Sequence, residues 1–269
     1  MNRLISFFRN RFARVQERPI IVLGNQKSGT SAIAHLLADF SGLSKTIDIP
    51  PLWPPVSVQI MRGDIDFASI VERHRAYFST ELIKEPAMTF FVDQVLVRFP
   101  ESKYVFVIRD ARDNIRSLLN SRKLPGHLKT LEEHHLAALS PRRVTVNARV
   151  WGVGENESYI GVLAHRWTKA IDNYLLYSDR MILARYEDFI QDKVGFIARL
   201  AERIGLSQKS DISDKVDVQY QPRGNREISW EEFFGKENLM RIEQICGERM
   251  QQFGYVRSCE SPCDKTESL

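Results

Sequence analysis

A glycine-containing loop between an apolar run and a helical pattern is the first place where this sequence could bind an anion. Residues 20–37 read IIVLGNQKSGTSAIAHLL. The run Ile20–Leu23 is typical of a buried parallel strand, and Ile33, Leu36 and Leu37 recur at helical spacing. A loop that enters a helix in this way directs backbone N–H groups and the positive end of the helix dipole toward one point. The pattern therefore predicts a phosphate-binding loop.

The position of the lysine in this loop differs from that in nucleotide kinases. In the pattern G-x-x-x-x-G-K-[ST], Gly24 and Gly29 have the expected spacing and Ser31 fills the last position. Thr30 occupies the lysine position, and Lys27 lies inside the loop instead. Kinases use the lysine after the second glycine for the terminal phosphates and the hydroxyl for Mg²⁺. The loop is thus expected to bind a nucleotide phosphate without being arranged for ordinary ATP hydrolysis.

A second anion site is predicted where the run Lys103–Ile108 ends. This continuous apolar run indicates a strand buried on both faces, and Arg109 follows it directly. Ligands of parallel sheets bind beyond the carboxyl ends of the strands. Ser117 lies eight residues later, and a guanidinium with a hydroxyl suits a phosphate dianion. The alternative, in which Arg109 pairs with a carboxylate and Ser117 lies at the surface, stays open.

Together, the two motifs resemble those of the sulfotransferases that use 3′-phosphoadenosine 5′-phosphosulfate (PAPS). The segment QKSGTSAI is similar to their 5′-phosphosulfate loop, and the pair Arg109 and Ser117 to their 3′-phosphate motif. The resemblance covers about Pro19 to Tyr255. It implies a three-layer α/β fold, related to the P-loop NTPases, with a central, mainly parallel sheet flanked by helices. The predicted organisation is a basic amphipathic segment (1–18), a single sulfotransferase domain (19–256) and a polar tail (257–269).

The resemblance implies transfer of a sulfuryl group from PAPS to a hydroxyl or amine, with release of adenosine 3′,5′-bisphosphate (PAP). Lys27 would stabilise the leaving phosphate, so no metal is expected. The residues that the resemblance assigns to PAPS are Gln26, Lys27, Ser28, Gly29, Thr30, Ser31, Arg109, Ser117, Tyr186 and, from a loosely matching loop, Arg223.

The general base is predicted from a departure from the family pattern. Cytosolic members have a histidine in a Lys-Thr-His-like segment, whereas this chain has Ile83-Lys84-Glu85-Pro86. Glu85 is therefore the first candidate base, and Lys84 a second positive contact to the sulfuryl group. Asp48 is the next candidate, and a histidine remains a further alternative. A carboxylate at this position favours a carbohydrate or glycolipid acceptor over a phenol.

Two other functions stay open. A P-loop kinase or NTPase would also bind a nucleotide in such a loop, although the displaced lysine argues against it. A nucleotide-binding module without activity is the other alternative, since a fold does not fix a function.

Composition limits the remaining classes. The chain has 269 residues, a net charge of +4 and a pI near 8.9, which suits an anionic co-substrate. No motif for binding nucleic acid is present. Cys246, Cys259 and Cys263 form no disulfide framework, and such low cysteine use predicts a reducing, cytoplasmic compartment. The sequence carries no signal for the oligomeric state.

The N-terminus MNRLISFFRNRFARV alternates apolar and arginine residues. It predicts either peripheral contact with an anionic membrane or a helix that packs on the domain. No stretch approaches the ~20 apolar residues of a transmembrane helix.

Periodicity predicts the other elements. Strands are expected at 81–85 and 181–184, and helices at 66–80, 88–99, 157–177, 189–204 and 236–253. Residues 48–57 are expected to form a proline-rich loop that Trp53 anchors or in which it lines an acceptor pocket. Residues 123–154 are expected to form a lid or acceptor-side insert, in which His134 and His135 lie on a solvated helical face. Glu187 and Asp188 are expected to cap a helix and anchor loops.

Overall fold

The chain folds around one parallel β-sheet in this computed structural model, which describes residues 10, 12–139, 142–218 and 228–256, with only the backbone of 142 and 143. The order of the strands is β2-β3-β1-β4-β5, and every neighbouring pair is parallel. The strands are β1 (Ile20–Gly24), β2 (Lys45–Ile47), β3 (Leu82–Lys84), β4 (Lys103–Ile108) and β5 (Met181–Arg185).

Helices cover both faces of the sheet. The α-helices are α1 (Thr30–Ser41), α2 (Val56–Arg62), α3 (Phe67–Arg73), α4 (Val92–Arg98), α5 (Ala111–Arg122), α6 (Glu133–Ala138), α7 (Ala148–Trp151), α8 (Tyr159–Leu176), α9 (Tyr186–Gln191), α10 (Lys193–Ile204) and α11 (Trp230–Gln252). Short 3₁₀ helices span Pro50–Leu52, Arg75–Phe78, Pro86–Phe91, Arg142–Val146 and Ser178–Arg180.

Alternation along the central strands divides the apolar core into two layers. Ile21 and Leu23 of β1 join the core with helices α4, α5, α8 and α11, whereas Ile20 and Val22 join the core with α1 and α10. Successive strand residues point to opposite faces, so a strand covered on both sides is apolar throughout. The expected three-layer α/β fold with a parallel sheet is confirmed.

The register aligns the carboxyl ends of the strands along one edge. Lys84 of β3 pairs with Ile47 of β2 and with Val22 of β1. The residues that follow the strands therefore form one row, which we call the carboxyl edge. In sheet order it carries Asp48, Glu85, Asn25, Arg109 and Tyr186.

Several predicted boundaries are wrong, for local reasons. The helix expected over 88–99 is a 3₁₀ turn that starts at Pro86, followed by α4, because proline suits the first position of a helix. The helix expected over 189–204 is divided into α9 and α10. Asp192 caps α10 by accepting the Gly195 N–H, so Glu187 and Asp188 do not. The helix expected over 236–253 is confirmed, since the backbone of Gly235 is non-helical and separates residues 236–252 of α11 from a shorter helical segment over 230–234 that was not predicted.

Glu187 does anchor loops, as expected. Its Oε1 accepts the Asp110 N–H at 3.0 Å, and its Oε2 accepts the Tyr255 hydroxyl at 2.7 Å. This carboxylate joins the ends of β4 and β5 to the C-terminal segment.

The terminal predictions fall mostly outside the described residues. Residues 1–9 and 11, the tail 257–269 and Arg223 are not described. Asn10, which is described, bonds to Arg73 O and the Ala76 N–H. In the described part of the chain, no helix has the length and apolarity needed to cross a bilayer.

A buried ionic network joins α5 to the C-terminal helix. The guanidinium of Arg112, 2% exposed, donates to Asp110 at 2.6 Å and to Glu243 at 2.7 Å. The same group lies 3.8 Å from the centre of the Trp230 ring. Loss of one partner leaves a buried charge incompletely compensated.

We expect Glu243→Ala to lower the free energy of unfolding by about 3 kcal/mol, as measured by urea denaturation. Glu248→Ala is the matched control on the same helix, because Glu248 is 80% exposed and should cost less than about 0.5 kcal/mol. Equal losses of unfolding free energy in the two variants would show that the buried network stabilises the fold no more than an exposed ion pair does.

Candidate functional site

Backbone conformation gives the loop after β1 its concave shape. Lys27 and Gly29 have φ values of 71° and 96°. Left-handed residues within a turn direct successive N–H groups toward one point, which is an anion-binding geometry. A Cβ atom on Gly29 would lie 2.3 Å from Cδ2 of Tyr186, so only glycine fits there.

Helix α1 starts at this loop without a side-chain cap and with no acidic residue in its first turn. By contrast, Ser158 caps α8 and Ser229 caps α11 through their hydroxyls. The amides at Thr30 and Ser31 are therefore not satisfied by a capping side chain. An uncapped helix N-terminus next to a lysine is suited to an anion.

Asn114, which sequence reasoning missed, fixes this loop. The residue is fully buried on α5. Its Nδ2 donates to Gln26 O and to Ser28 Oγ, and its Oδ1 accepts from Asn25 Nδ2, each at 2.9 Å. The available signal was an amide one helical turn before Leu118, in the segment that follows Arg109.

Ser28 stabilises the shape of the loop through hydrogen bonds of its side chain and backbone. Its hydroxyl accepts from Asn114, and its N–H donates to Asn25 O at 3.2 Å. Thr89 holds the first residue of the loop, because its hydroxyl accepts the Gly24 N–H at 2.9 Å and donates to Gly24 O at 3.2 Å.

Arg109 joins the two predicted anion sites. It is 4% exposed, and its Nη1 donates to Lys27 O at 3.0 Å. Its guanidinium lies 4.6 Å from the centre of the Tyr186 ring, which itself packs against Gly29. Asp113 is 3.8 Å from Nη2, a longer contact than the bond to the loop. The arginine therefore links the ends of β1, β4 and β5.

Ser117 lies one turn after Asp113 on α5, so these two residues share a face of the helix. Arg109 precedes the helix and approaches this face through Asp113. Ser117 is half-buried, and its hydroxyl makes no hydrogen bond among the described residues. Arg223, the other predicted phosphate ligand, is outside those residues.

Positive charge converges on Lys27. Burial, followed by the charges of Arg109, Arg122 and Lys84, lowers the pKa of Lys27 from 10.5 to about 8. Cations placed close together in a partly buried site are unfavourable unless an anion binds between them. The site is therefore electrostatically arranged for an anion.

Lys84 and Asp48 form an ion pair at the β2 end of the carboxyl edge. Lys84 Nζ donates to Asp48 Oδ1 at 2.5 Å, and the side chains are 2% and 41% exposed. Asp48 has a φ of 62°, which is rare for a residue other than glycine. Such strain is often found at functional sites. The pair thus offers an accessible carboxylate beside the cations around Lys27.

The geometry does not support Glu85 as the base. It is 1% exposed, its Oε2 accepts the Ile49 N–H at 2.7 Å, and its Oε1 accepts the Ala87 N–H at 3.0 Å. Burial raises the pKa of the Glu85 carboxyl, and the two amide donors oppose that effect. Both oxygens are used to hold the backbone, so none is directed at a substrate.

The structure also decides the expectations for Trp53 and for the two adjacent histidines. Trp53 is 44% exposed, so it does not anchor the proline-rich loop in the core. His134 and His135 lie on the solvated helix α6, as expected. Their ring centres are 3.8 Å apart, and His135 Nδ1 accepts the Glu132 N–H. With Glu132 these histidines place three potential metal-ligand atoms within 4.8 Å of one another.

Comparisons with known proteins agree with this geometry. Residues 54–210, more than half of the chain, match the model of the sulfotransferase family. No curated protein matches the sequence significantly.

Solved structures share the fold. Sulfotransferase STF9 from Mycobacterium avium aligns with a TM-score of 0.55 and 12% identity over 94% of this chain and 81% of that one. Mouse sulfotransferase SULT7A1, solved in complex with PAP, aligns with a TM-score of 0.55 and 13% identity over 93% and 90% of the two chains. STF1 from Mycobacterium tuberculosis H37Rv aligns with a TM-score of 0.52 and 14% identity over 90% and 80%. The match to the family model, together with this shared fold, places the chain in the sulfotransferase family.

Proposed function

We propose that the chain transfers a sulfuryl group from PAPS to a hydroxyl group of a carbohydrate or glycolipid and releases PAP; an amine is the alternative acceptor. The supporting observation is the hydrogen bond between Arg109 and Lys27 O. It brings the phosphate loop and the end of β4 together, as one nucleotide with phosphates at both ends of its ribose requires. A solved neighbour that carries PAP is consistent with this choice.

Different residues would hold the two ends of PAPS. The loop amides, the α1 N-terminus and Lys27 suit the 5′-phosphosulfate, since they combine donors with positive charge. Arg109 and Ser117 suit the 3′-phosphate. The Tyr186 ring lies beside Arg109 and offers a flat surface for the adenine.

The chemistry needs charge stabilisation and a base. PAPS, when bound, supplies a sulfuryl group on a phosphate leaving group. Lys27 and the α1 amides stabilise the negative charge that develops on that phosphate. Asp48 takes the proton of the acceptor hydroxyl, whose oxygen bonds to sulfur as the bond from sulfur to the leaving phosphate breaks. Lys84 holds the Asp48 carboxylate in place and adds positive charge beside Lys27.

The choice of a carboxylate as the base, at the β2 end of the carboxyl edge, also supports a carbohydrate or glycolipid as the acceptor. Among the histidines, His35 lies near Asp48 and Lys84, and burial followed by the charge of Lys45 lowers the pKa of its imidazole. We prefer Asp48 because its carboxylate is exposed and its backbone strained.

A kinase reaction is less well supported. Kinases need carboxylates to hold Mg²⁺, but Asp110, the acidic residue at the end of β4, accepts two hydrogen bonds at Oδ1 and one at Oδ2 from Arg112. Thermal stabilisation by PAP in the absence of Mg²⁺ would support the proposal. Stabilisation by Mg²⁺–ATP and not by PAP would support a kinase.

The pKa of Lys27 predicts how PAP binding depends on pH. Lys27 attracts the phosphate only when protonated, so affinity should fall above about pH 8, by at most about tenfold per pH unit. Lys27→Arg should flatten this dependence, because arginine stays protonated, and Lys27→Ala should weaken binding and abolish transfer. Calorimetric titrations from about pH 7 to 9.5 provide the measurement; a flat wild-type profile would contradict the role of Lys27.

The two candidate bases predict opposite results. Asp48→Asn should lower the transfer rate by about 100-fold or more and leave PAP affinity unchanged. Asp64→Asn, a change on the exposed surface, is the control and should have no effect.

Glu85→Gln should instead lower stability by roughly 1–3 kcal/mol, because an NH₂ group would face a backbone N–H donor. The folded fraction of this variant should retain its rate. Rates are measured with any acceptor that the wild type sulfates, and stability by urea denaturation. A normal rate in Asp48→Asn with a lost rate in Glu85→Gln would restore Glu85 as the base.

Removal of the Asn114 side chain, which holds the loop after β1, should weaken the binding of PAP. Asn114→Ala releases Gln26, Ser28 and Asn25, so we expect PAP binding to weaken about 10- to 100-fold, on the basis of two or more lost hydrogen bonds. Asn120→Ala is the control on the same helix, since the Asn120 side chain makes no hydrogen bond among the described residues. Calorimetry gives both affinities, and equal affinities would mean that the loop keeps its shape without the clamp.

A further inference from the structure

The end of the described chain lies against the ends of β4 and β5. Residues 253–256, which follow α11, are here called the C-terminal segment. Arg185, the last residue of β5, donates from Nη1 to Phe253 O, and its guanidinium lies 4.7 Å from the centre of the Tyr255 ring. Tyr255 is 6% exposed. The segment is therefore packed against the carboxyl edge of the sheet.

Glu187 connects the C-terminal segment to the residue that follows Arg109. The Tyr255 hydroxyl donates to Oε2 of Glu187 at 2.7 Å, and Oε1 accepts the Asp110 N–H at 3.0 Å. Burial, followed by the charge of Glu187, raises the pKa of the Tyr255 hydroxyl, so this group stays protonated and acts as the donor. The carboxylate is thus held at one oxygen while it binds Asp110 with the other.

The peptide unit between Arg109 and Asp110 is hydrogen-bonded to side chains on both of its sides. Its carbonyl oxygen accepts from Trp167 Nε1 at 3.0 Å, and its N–H donates to Glu187 Oε1 at 3.0 Å. A peptide unit is planar, so two bonds on opposite sides fix its orientation. Because Arg109 also continues directly from β4, this orientation sets the direction in which the Arg109 side chain leaves the strand.

A second contact joins the C-terminal segment to the start of α5. Arg112 Nη2 donates to Asp110 Oδ2 at 2.6 Å and to Val256 O at 2.9 Å. Asp110 in turn caps α5, because its Oδ1 accepts the Arg112 N–H at 2.8 Å. The backbone N–H and the carboxylate of Asp110 are therefore both held by side chains that bind the C-terminal segment.

We propose that Glu187 and Tyr255 are positioning residues for the 3′-phosphate of the nucleotide: by fixing the peptide unit between Arg109 and Asp110, they direct the Arg109 guanidinium toward that phosphate. The inference rests on the proposed function and adds to it the residues that determine selectivity for a nucleotide with a 3′-phosphate. Loss of their hydrogen bonds weakens recognition of the 3′-phosphate and leaves the 5′-phosphate contacts of the loop after β1 in place.

A matched pair of nucleotides isolates the 3′-phosphate. PAP and adenosine 5′-monophosphate (AMP) differ only in that group, so the ratio of their dissociation constants measures what the 3′-phosphate contributes. Calorimetric titrations of the full chain give both constants. We expect the wild type to bind PAP at least about tenfold more tightly than AMP, because the 3′-phosphate accepts charge-assisted hydrogen bonds.

Variants assign this preference to the two positioning residues. Glu187→Ala removes the acceptor of the Asp110 N–H and should lower the preference for PAP by about tenfold, whereas Tyr255→Phe removes one hydrogen bond and should lower it by about threefold. The affinity for AMP should stay within about twofold of the wild type in both, which is less than the effect of one hydrogen bond. Glu187→Gln should retain most of the preference, since its carbonyl oxygen accepts the Asp110 N–H while its NH₂ group donates to the Tyr255 hydroxyl.

Two control variants separate positioning from a loss of stability. Tyr177→Phe removes a tyrosine hydroxyl that makes no hydrogen bond among the described residues. Ile70→Val removes one methylene group from a side chain of α3 that is 2% exposed, so it lowers stability without altering the C-terminal segment. Urea denaturation measures that loss, and both controls should keep the wild-type ratio of the PAP and AMP dissociation constants.

Three results would overturn the proposal: a wild-type ratio in both Glu187→Ala and Tyr255→Phe, an equal weakening of PAP and AMP binding in these variants, or a fall of the same size in Ile70→Val. Tyr255→Phe keeps the aromatic ring and the Glu187 carboxylate, so it decides the question if Glu187→Ala does not fold. A wild-type chain that binds PAP no more tightly than AMP would instead remove the proposed function, before any variant is compared.

Discussion

The hydrogen bond from Arg109 to Lys27 O is the interaction on which the site depends. It ties the loop after β1 to the end of β4, and the same guanidinium packs on the Tyr186 ring after β5. One buried cation thus fixes the relative positions of three strand ends. An arginine can do this because its planar group makes directional hydrogen bonds along its edge and stacks on aromatic rings through its face.

The order of the strands places the candidate site residues at different points along the carboxyl edge. The Asp48–Lys84 pair lies at the β2 and β3 ends, the phosphate loop at the β1 end, and Arg109 and Tyr186 at the β4 and β5 ends. In the proposed function, the nucleotide extends along this row with its reactive end toward the carboxylate. Lys27 and Asp48 both have left-handed backbone conformations. Arg109 donates to Lys27 O, and the Asp48 N–H donates to Lys84 O, so both conformations are supported by hydrogen bonds to neighbouring strand ends.

Buried polar side chains do most of the positioning. Asn114 holds the phosphate loop, Glu85 holds the backbone after β2 and β3, and Glu187 joins the ends of β4 and β5. Each satisfies backbone groups that would otherwise be buried without partners, which is costly. Arg166 is the exception, since the described chain supplies it with aromatic faces and with no acceptor.

The sequence by itself determined the parallel α/β fold, the position of the glycine-containing loop after β1 and that of Arg109 at the end of β4, because apolar runs, glycine spacing and the residue after a strand are local properties of the chain. It placed Lys84 and Asp48 among the candidates without showing that they pair. Only the tertiary structure separated Asp48 from Glu85: both are carboxylates near strand ends, and what distinguishes them is which backbone amides lie opposite. The contacts of Asn114 and Arg166 likewise became visible only in the folded chain. Their hydrogen-bond partners or aromatic neighbours lie far away in the sequence, and a one-dimensional pattern contains no information on such contacts.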